Sequence, residues 1–180
     1  MTSEYLSIRK SKRLLLRPLR VEDANDFESF FDDSVTNKFL PSHIIHSNER
    51  SKAWVERQMQ RYRENRGGLL ALVDHKSNEF VGMAGLLLQE IEEKIELEIG
   101  YHILPTHRGK GFAVEASKFL KQIGFDLTSY SRIVSIIHPN NVISQSVALS
   151  NGMIPLFNTV FHRYPAVVYV VERQQTAGMV

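Results

Sequence analysis

The chain has 180 residues, of which 43% are hydrophobic and 23% are charged, a composition typical of one globular domain and too apolar for a disordered chain. It contains no cysteine, which excludes disulfides, thiolate nucleophiles and cysteine-bound zinc or iron–sulfur centres. A formal net charge of +2 gives no indication of direct nucleic-acid binding.

Targeting signals are not visible in the sequence. Residues 1–5 are not a basic segment followed by an apolar run, as a secretory signal would require. The longest apolar stretch, residues 80–88, contains two glycines and is far too short to span a membrane. We therefore expect a cytoplasmic protein without a membrane partner.

The first part of the chain predicts one strand and two helices. They are a strand over residues 13–19, a helix over 22–31, a loop over 41–47 and a helix over 48–66. Ala24, Phe27 and Phe31 recur at helical spacing. Asn48 is a good helix N-cap, and Gly67 can end the second helix.

The rest of the chain predicts six strands and two helices. The strands are residues 69–74, 80–88, 94–104, 133–137, 153–161 and 166–172, and the helices are 111–127 and 141–151. Between residues 94 and 104 apolar and polar side chains alternate, so Glu96, Glu98 and His102 share one face. The order β-α-α-β-β-β-α-β-α-β-β predicts an α+β fold, a mixed sheet with helices on both faces.

The turn before the helix at residues 111–127 is suited to an anion. Residues 108–113 read Arg-Gly-Lys-Gly-Phe-Ala, and the two glycines allow a ligand to approach the backbone. Free amides and the helix dipole favour a phosphate or pyrophosphate there, although a plain tight turn would have a similar sequence. Gly111 stands where a P-loop needs Ser or Thr, and the third glycine of a dinucleotide fingerprint is missing.

Several motifs in sequence order resemble the GNAT N-acetyltransferase superfamily. Arg108-x-x-Gly111-x-Ala113 is similar to its acyl-CoA pyrophosphate loop. Three other segments resemble the ribosomal-protein N-terminal (alanine/serine) acetyltransferase branch: residues 13–23, Glu98-Ile99-Gly100-Tyr101, and Asn141-x-x-Ser144 with Gly152-Met153. The resemblance covers residues 12–172 and implies a single N-acetyltransferase domain over residues 1–180 with short tails.

The resemblance implies a mostly antiparallel sheet of six to seven strands, splayed between the fourth and fifth predicted strands. Acetyl-CoA, as acyl donor, would lie in this gap between residues 99–104 and 134–138, and no metal is implied. The implied cofactor-binding residues are Ile99, Tyr101, Ile103, Arg108, Gly109, Lys110, Gly111, Phe112, Ala113, Asn141 and Ser144. The acetyl group would pass directly to the amine in a ternary complex, with a main-chain amide near Ile99 or Gly100 facing the thioester carbonyl.

Glu98 is the first candidate for the general base, and Glu96 is its substitute. Ser144 is the candidate to protonate the leaving thiolate or to hold the pantetheine, and Tyr101 and Tyr130 are weaker candidates for the acid. Glu96, Glu98 and His102 are the predicted acceptor-binding residues. The structural alternatives are a solvated carboxylate for each glutamate and a helix first-turn residue, capped by Asn141, for Ser144.

The acceptor is left open by the sequence. A protein N-terminus, a polyamine or another small-molecule amine would each fit, and a non-catalytic acyl-CoA-binding module is an alternative to an enzyme. Glu90, Glu92 and Glu93 are expected in one turn, either drawing in a cationic acceptor or simply solvated. His43 and His46 lack a third ligand nearby, so no metal site is predicted, and a homodimer is frequent in the family.

Overall fold

The computed structural model describes residues 3–40 and 49–174. The helices are α1 (Asp23–Phe31), α2 (Ser34–Asn37), α3 (Arg50–Arg63), α4 (Phe112–Leu127) and α5 (Val142–Ser150). The strands are β1 (Arg9–Lys10), β2 (Leu14–Arg17), β3 (Gly67–Asp74), β4 (Phe80–Ile91), β5 (Lys94–Ile103), β6 (Arg132–Ile137), β7 (Ile154–Phe161) and β8 (Tyr164–Glu172). The predicted loop at residues 41–47, with His43 and His46, and the predicted cap Asn48 lie outside the described residues.

The strands form one mixed sheet in the spatial order β1-β2-β3-β4-β5-β6-β8-β7. Neighbouring strands are antiparallel except β5 and β6, which are parallel and pair only at Glu98 opposite Val134. Beyond this pair the two strands diverge, so the predicted splay is confirmed. The sheet has one strand more than expected, because β1 has only two residues and is too short to show periodicity.

Helices cover both faces of the sheet, as predicted. On one face α4 packs on β2–β5, and its contacts form a core that includes Leu14, Leu70, Leu86, Phe112 and Leu120. On the other face α1 and α3 contribute Phe27, Phe31 and Val55 to a second core with Met83 and Ala71. The spacing of Phe27 and Phe31 in α1 puts both rings on the buried side of the helix.

Helix α2 was not predicted, because four residues are too few to show a helical period. Asp33 defines its beginning: the side chain of this N-cap residue accepts a hydrogen bond from the amide of Thr36. Such a cap is typical of aspartate. The helix lies between α1 and the undescribed residues 41–48, close to the opening between β5 and β6.

The turn between β4 and β5 differs in part from the expectation. Glu92 and Glu93 form it, with φ of 48° and 65°, as a two-residue hairpin turn of the primed kind requires. Glu90, expected in the same turn, is instead an exposed residue of β4 opposite Ile95. The reason is that the tight two-residue turn lets pairing continue to Ile91 and Lys94. None of the described helices is long and apolar enough to cross a membrane.

Candidate active site

A cleft of about 600 Å³ occupies the opening between β5 and β6. One wall is residues 98–103 of β5 and the other is residues 135–138, which agrees with the walls expected from the sequence. The loop before α4 closes one end of the cleft, α5 flanks it, and residues of α1 and α2 cover it from the other face of the sheet. The strands open here because a single residue pair joins them.

The loop end of the cleft presents free backbone amides. Gly111 is the N-cap of α4 with φ of +80°, and Gly109 has φ of +74°, a left-handed conformation in which glycine is not strained. The amides of residues 109–114 make no hydrogen bond to another described residue. Together with the dipole of the 16-residue helix α4, they favour an anionic ligand. Lys110 is exposed beside them.

The N-terminal segment holds this loop in place through Glu115 in the first turn of α4. The Glu115 carboxylate accepts hydrogen bonds from the Ser11 hydroxyl at 2.7 Å, and from the backbone amide and Nε of Arg13 at 2.6 Å each. Arg13 also donates from Nη1 to the Lys110 carbonyl at 2.8 Å and lies over the Phe112 ring. These contacts fix the position of the loop from outside the cleft.

Arg108 occupies its predicted place in the loop, but its side chain is bonded to the protein. Nε donates to the Ile103 carbonyl at 3.2 Å, Nη1 to Asp33 at 2.7 Å, and Nη2 to the Thr36 hydroxyl at 2.5 Å. Its backbone amide donates to the Pro105 carbonyl at 3.3 Å. The guanidinium therefore points to α2 and not along the row of free amides.

Glu98 lies on the wall of the cleft and is only 9% exposed. Burial raises the pKa of its carboxyl, since the charged form loses hydration. A hydrogen bond from Gln89 Nε2 at 2.8 Å and the charge of Arg61 oppose this rise in pKa. A buried carboxylate of raised pKa is a stronger proton acceptor than a solvated one, so Glu98 has the properties of a general base.

Glu96 shares a strand face with Glu98, but the structure does not bring it to the cleft. Its carboxylate forms an ion pair with Arg132 and lines a separate cavity of about 80 Å³. The reason is its position along the strand. Glu96 precedes the single β5–β6 pair at Glu98 and so lies on the side away from the opening, where Arg132 reaches it. The structure therefore does not place Glu96 beside Glu98 as a second base.

His102, the third predicted acceptor-binding residue, does line the cleft. Its ring lies between those of Phe30 and Trp54, with centroids 5.3 Å and 5.2 Å away. Burial lowers the pKa of His102 from 6.5 to about 4, so the imidazole is neutral at pH 7. Neither ring nitrogen has a hydrogen-bond partner among the described residues, which leaves both able to interact with a bound molecule.

Tyr101 of the β5 wall meets Asn141 and Ser144 at the start of α5. The Tyr101 hydroxyl donates to the Ser144 carbonyl at 2.9 Å, and the Asn141 side chain accepts from the Ser144 amide at 3.1 Å. Asn141 is thus the N-cap of α5, and Ser144 is the first-turn residue that it caps, which was the structural alternative for Ser144. Burial raises the pKa of Tyr101. All three residues line the cleft, and a side-chain hydrogen bond with Ser144 opposes the rise in the pKa of Tyr101.

Two residues that line the cleft, Ser135 and Thr36, were not found from the sequence, and neither was Asp33 at the start of α2. Ser135 donates its hydroxyl to the Ile99 carbonyl at 2.9 Å, just beyond the single β5–β6 pair. It could have been noticed as a hydroxyl within the apolar run of β6. Asp33 and Thr36 carry no such signal, because only the tertiary structure brings them to Arg108.

Comparison with known proteins gives a consistent result. Residues 13–154 match the family model of the acetyltransferase (GNAT) domain. The chain is 26% identical over 145 residues to the uncharacterized N-acetyltransferase YoaA of Bacillus subtilis (strain 168), covering 81% of each protein.

Two solved structures are similar in fold. RimL, a ribosomal L7/L12 α-N-protein acetyltransferase solved in complex with coenzyme A, is 16% identical with a TM-score of 0.76, over 92% of this chain and 98% of that one. The microcin C7 self-immunity acetyltransferase MccE, solved with acetyl-CoA and AMP, is 16% identical with a TM-score of 0.73, over 90% of this chain and 93% of that one.

Proposed function

The chain belongs to the GNAT acetyltransferase family, and from this premise we propose that it transfers the acetyl group of acetyl-CoA to a primary amine within the β5–β6 cleft. The observation that carries the proposal is the arrangement of the cleft. Free amides of residues 109–114 lie at one end, and the buried carboxylate of Glu98 lies on the wall of the same cleft.

The residues at the loop end fit the pyrophosphate of acetyl-CoA. The amides from Gly109 to Ala113 are donors without a partner in the described part of the chain, and Lys110 adds an exposed positive charge. The edge of β5 that faces the opening lacks a paired strand beyond Glu98, so Ile99, Tyr101 and Ile103 can offer backbone groups to the pantetheine arm. Asn141 and Ser144 would flank that arm from α5.

In the proposed reaction the amine nitrogen forms a bond to the thioester carbonyl carbon, and the carbon–sulfur bond breaks. Glu98 would accept the proton that the amine loses, directly or through a water. The leaving thiolate would take a proton from the hydroxyl of Ser144 or Tyr101, both of which line the same cleft. His102, neutral at pH 7, would hold the acceptor as a hydrogen-bonding partner and not as a charge.

For the acceptor we propose a protein N-terminal α-amino group, as in the ribosomal-protein branch. The similarity in fold to RimL supports this choice, and the similarity to MccE keeps a small-molecule amine as the alternative. The two classes differ in chemistry. At pH 7 an α-amino group with a pKa near 7.8 needs only about 1 kcal/mol to lose its proton, whereas a lysine-like amine at 10.4 needs about 4.6 kcal/mol.

An amine panel with a thiol-release readout tests the proposal. The panel contains peptides that begin with Ser or Ala, the same peptides with acetylated N-termini, spermidine and aromatic small-molecule amines. We expect steady coenzyme A release with the free peptides and background release with the blocked ones. Turnover only with spermidine or small amines would contradict the acceptor assignment. Binding of acetyl-CoA without turnover on any amine would indicate a non-catalytic module.

A further inference from the structure

The short helix α2 covers the cleft and is held there at two points. The cleft is lined here by Val35 and Thr36 of α2 and by Phe39, which follows the helix. On the β5 side, Arg108 bonds to Asp33 and Thr36. On the β6 side, the Phe39 ring lies 5.4 Å from that of His138. Helix α2, together with Asp33 before it and Phe39 after it, therefore bridges the opening between β5 and β6.

All three nitrogens of the Arg108 guanidinium are used in this arrangement. Nε is bonded to the end of β5 at Ile103, Nη1 to the Asp33 carboxylate and Nη2 to the Thr36 hydroxyl. The side chains of Arg108 and Asp33 are 29% and 19% exposed, so solvent screens this ion pair less than a surface pair. A planar guanidinium can satisfy three such partners at once, and a lysine ammonium could not do so with the same geometry.

From these contacts we propose that Arg108 is a positioning residue that clamps α2 over the cleft and thereby builds the acceptor side of the site, while pyrophosphate binding is left to the loop amides and Lys110. This inference rests on the proposed function for the identity of the two substrates. Because Arg108 itself belongs to the loop that would hold the pyrophosphate, the clamp also joins the acceptor side of the cleft to its donor side.

Asp33 has two roles that substitutions can separate. Its carboxylate caps α2 through the Thr36 amide and pairs with Arg108. Asp33→Asn keeps a good N-cap but removes the charge that attracts the guanidinium. Thr36→Val removes only the hydroxyl acceptor. Lys110→Ala is the matched comparison, because it removes a neighbouring cation of the loop that does not contact α2.

Hydrogen exchange of α2 and calorimetric titration with coenzyme A test the clamp without an acceptor. We expect Arg108→Ala and Asp33→Asn to speed exchange of the amides of residues 36–39 about tenfold or more. Their dissociation constants for coenzyme A should stay within about threefold of the wild-type value. Lys110→Ala should do the reverse, weakening coenzyme A binding and leaving exchange in α2 unchanged.

Steady-state kinetics with the best amine of the panel provide the second readout. The acceptor KM should rise about tenfold in Arg108→Ala and in Asp33→Asn, and the double variant should be no worse than Arg108→Ala alone, since that substitution already removes the contact with Asp33. Thr36→Val should show a smaller rise in the same direction. If Arg108→Ala fails to fold, Asp33→Asn and Thr36→Val still decide the result.

Two outcomes would overturn the clamp. The first is a loss of coenzyme A affinity in Arg108→Ala larger than that in Lys110→Ala, which would make Arg108 a phosphate ligand. The second is unchanged exchange in α2 together with an unchanged acceptor KM. A wild-type protein that neither binds coenzyme A nor acetylates any amine would instead contradict the proposed function, and α2 exchange would still test the clamp.

Discussion

Glu98 differs from an ordinary surface carboxylate because burial raises its pKa. A general base must be ionised to accept a proton, so activity should fall as the pH drops through this raised pKa. We expect Glu98→Gln to lower kcat by ~10²–10⁴-fold with little change in acetyl-CoA affinity, and to remove this acid limb from the pH–rate profile. Any limb that remains belongs to the acceptor amine.

Gln89 supplies the matched variant for this measurement. Its amide donates to the Glu98 carboxylate and so favours the charged form. Gln89→Leu should raise the pKa of Glu98 further and move the acid limb to higher pH without abolishing turnover. Superimposable pH–rate profiles for the wild type and Glu98→Gln would remove Glu98 from the mechanism.

At the scale of single elements, the junction between the loop and α4 depends on Gly111. With φ of +80°, any other residue there is strained by about 1–3 kcal/mol, and an added Cβ would lie 3.5 Å from Nη2 of Arg13, the residue that holds the loop. We expect Gly111→Val to raise the dissociation constant for coenzyme A by tenfold or more in calorimetry.

Gly152 separates backbone strain from ligand contact. It has the same φ of +80° but follows α5 and does not line the cleft. Gly152→Val should lower the unfolding free energy to a similar extent in urea titrations and leave coenzyme A affinity unchanged. Equal affinity for coenzyme A in Gly111→Val and the wild type would show that the loop is not the pyrophosphate site.

The long elements were predictable from their patterns, and the short ones were not. The α4 stripe that includes Ala116, Leu120 and Ile123 repeats over several turns, and all three residues are buried. Helix α2 and strand β1 have four and two residues. Their existence depends on a cap at Asp33 and on pairing with β2, and neither is visible as a period in the sequence.

At the scale of the whole molecule, the exposed carboxylates at the end of the β4–β5 hairpin add a negative field. Glu90, Glu92 and Glu93 are exposed and do not line the cleft, so any effect on a cationic acceptor must act by steering. Each is worth under ~1 kcal/mol and is screened by salt. Changing all three to Lys should raise the acceptor KM severalfold at low ionic strength and leave acetyl-CoA binding unaltered.

A second triple variant changes the net charge equally at another place. Glu22, Glu56 and Asp126 are also exposed and outside the cleft, so their change to Lys should leave the acceptor KM nearly constant. The effect of the hairpin variant should disappear at high salt. An acceptor KM that does not respond to the hairpin charges at low salt would rule out steering.

The sequence by itself determined the order of the long elements, the two-faced sheet and the glycine loop that opens α4, because periodicity and backbone conformation are local properties. Only the tertiary structure decided how similar residues differ in role. Glu96 and Glu98 share one strand face, yet one pairs with Arg132 and the other lines the cleft, since the opening between β5 and β6 begins only at Glu98. Arg108 likewise meets Asp33, 75 residues away. A pattern gives the direction of a side chain, whereas its partner depends on which distant segment packs against it.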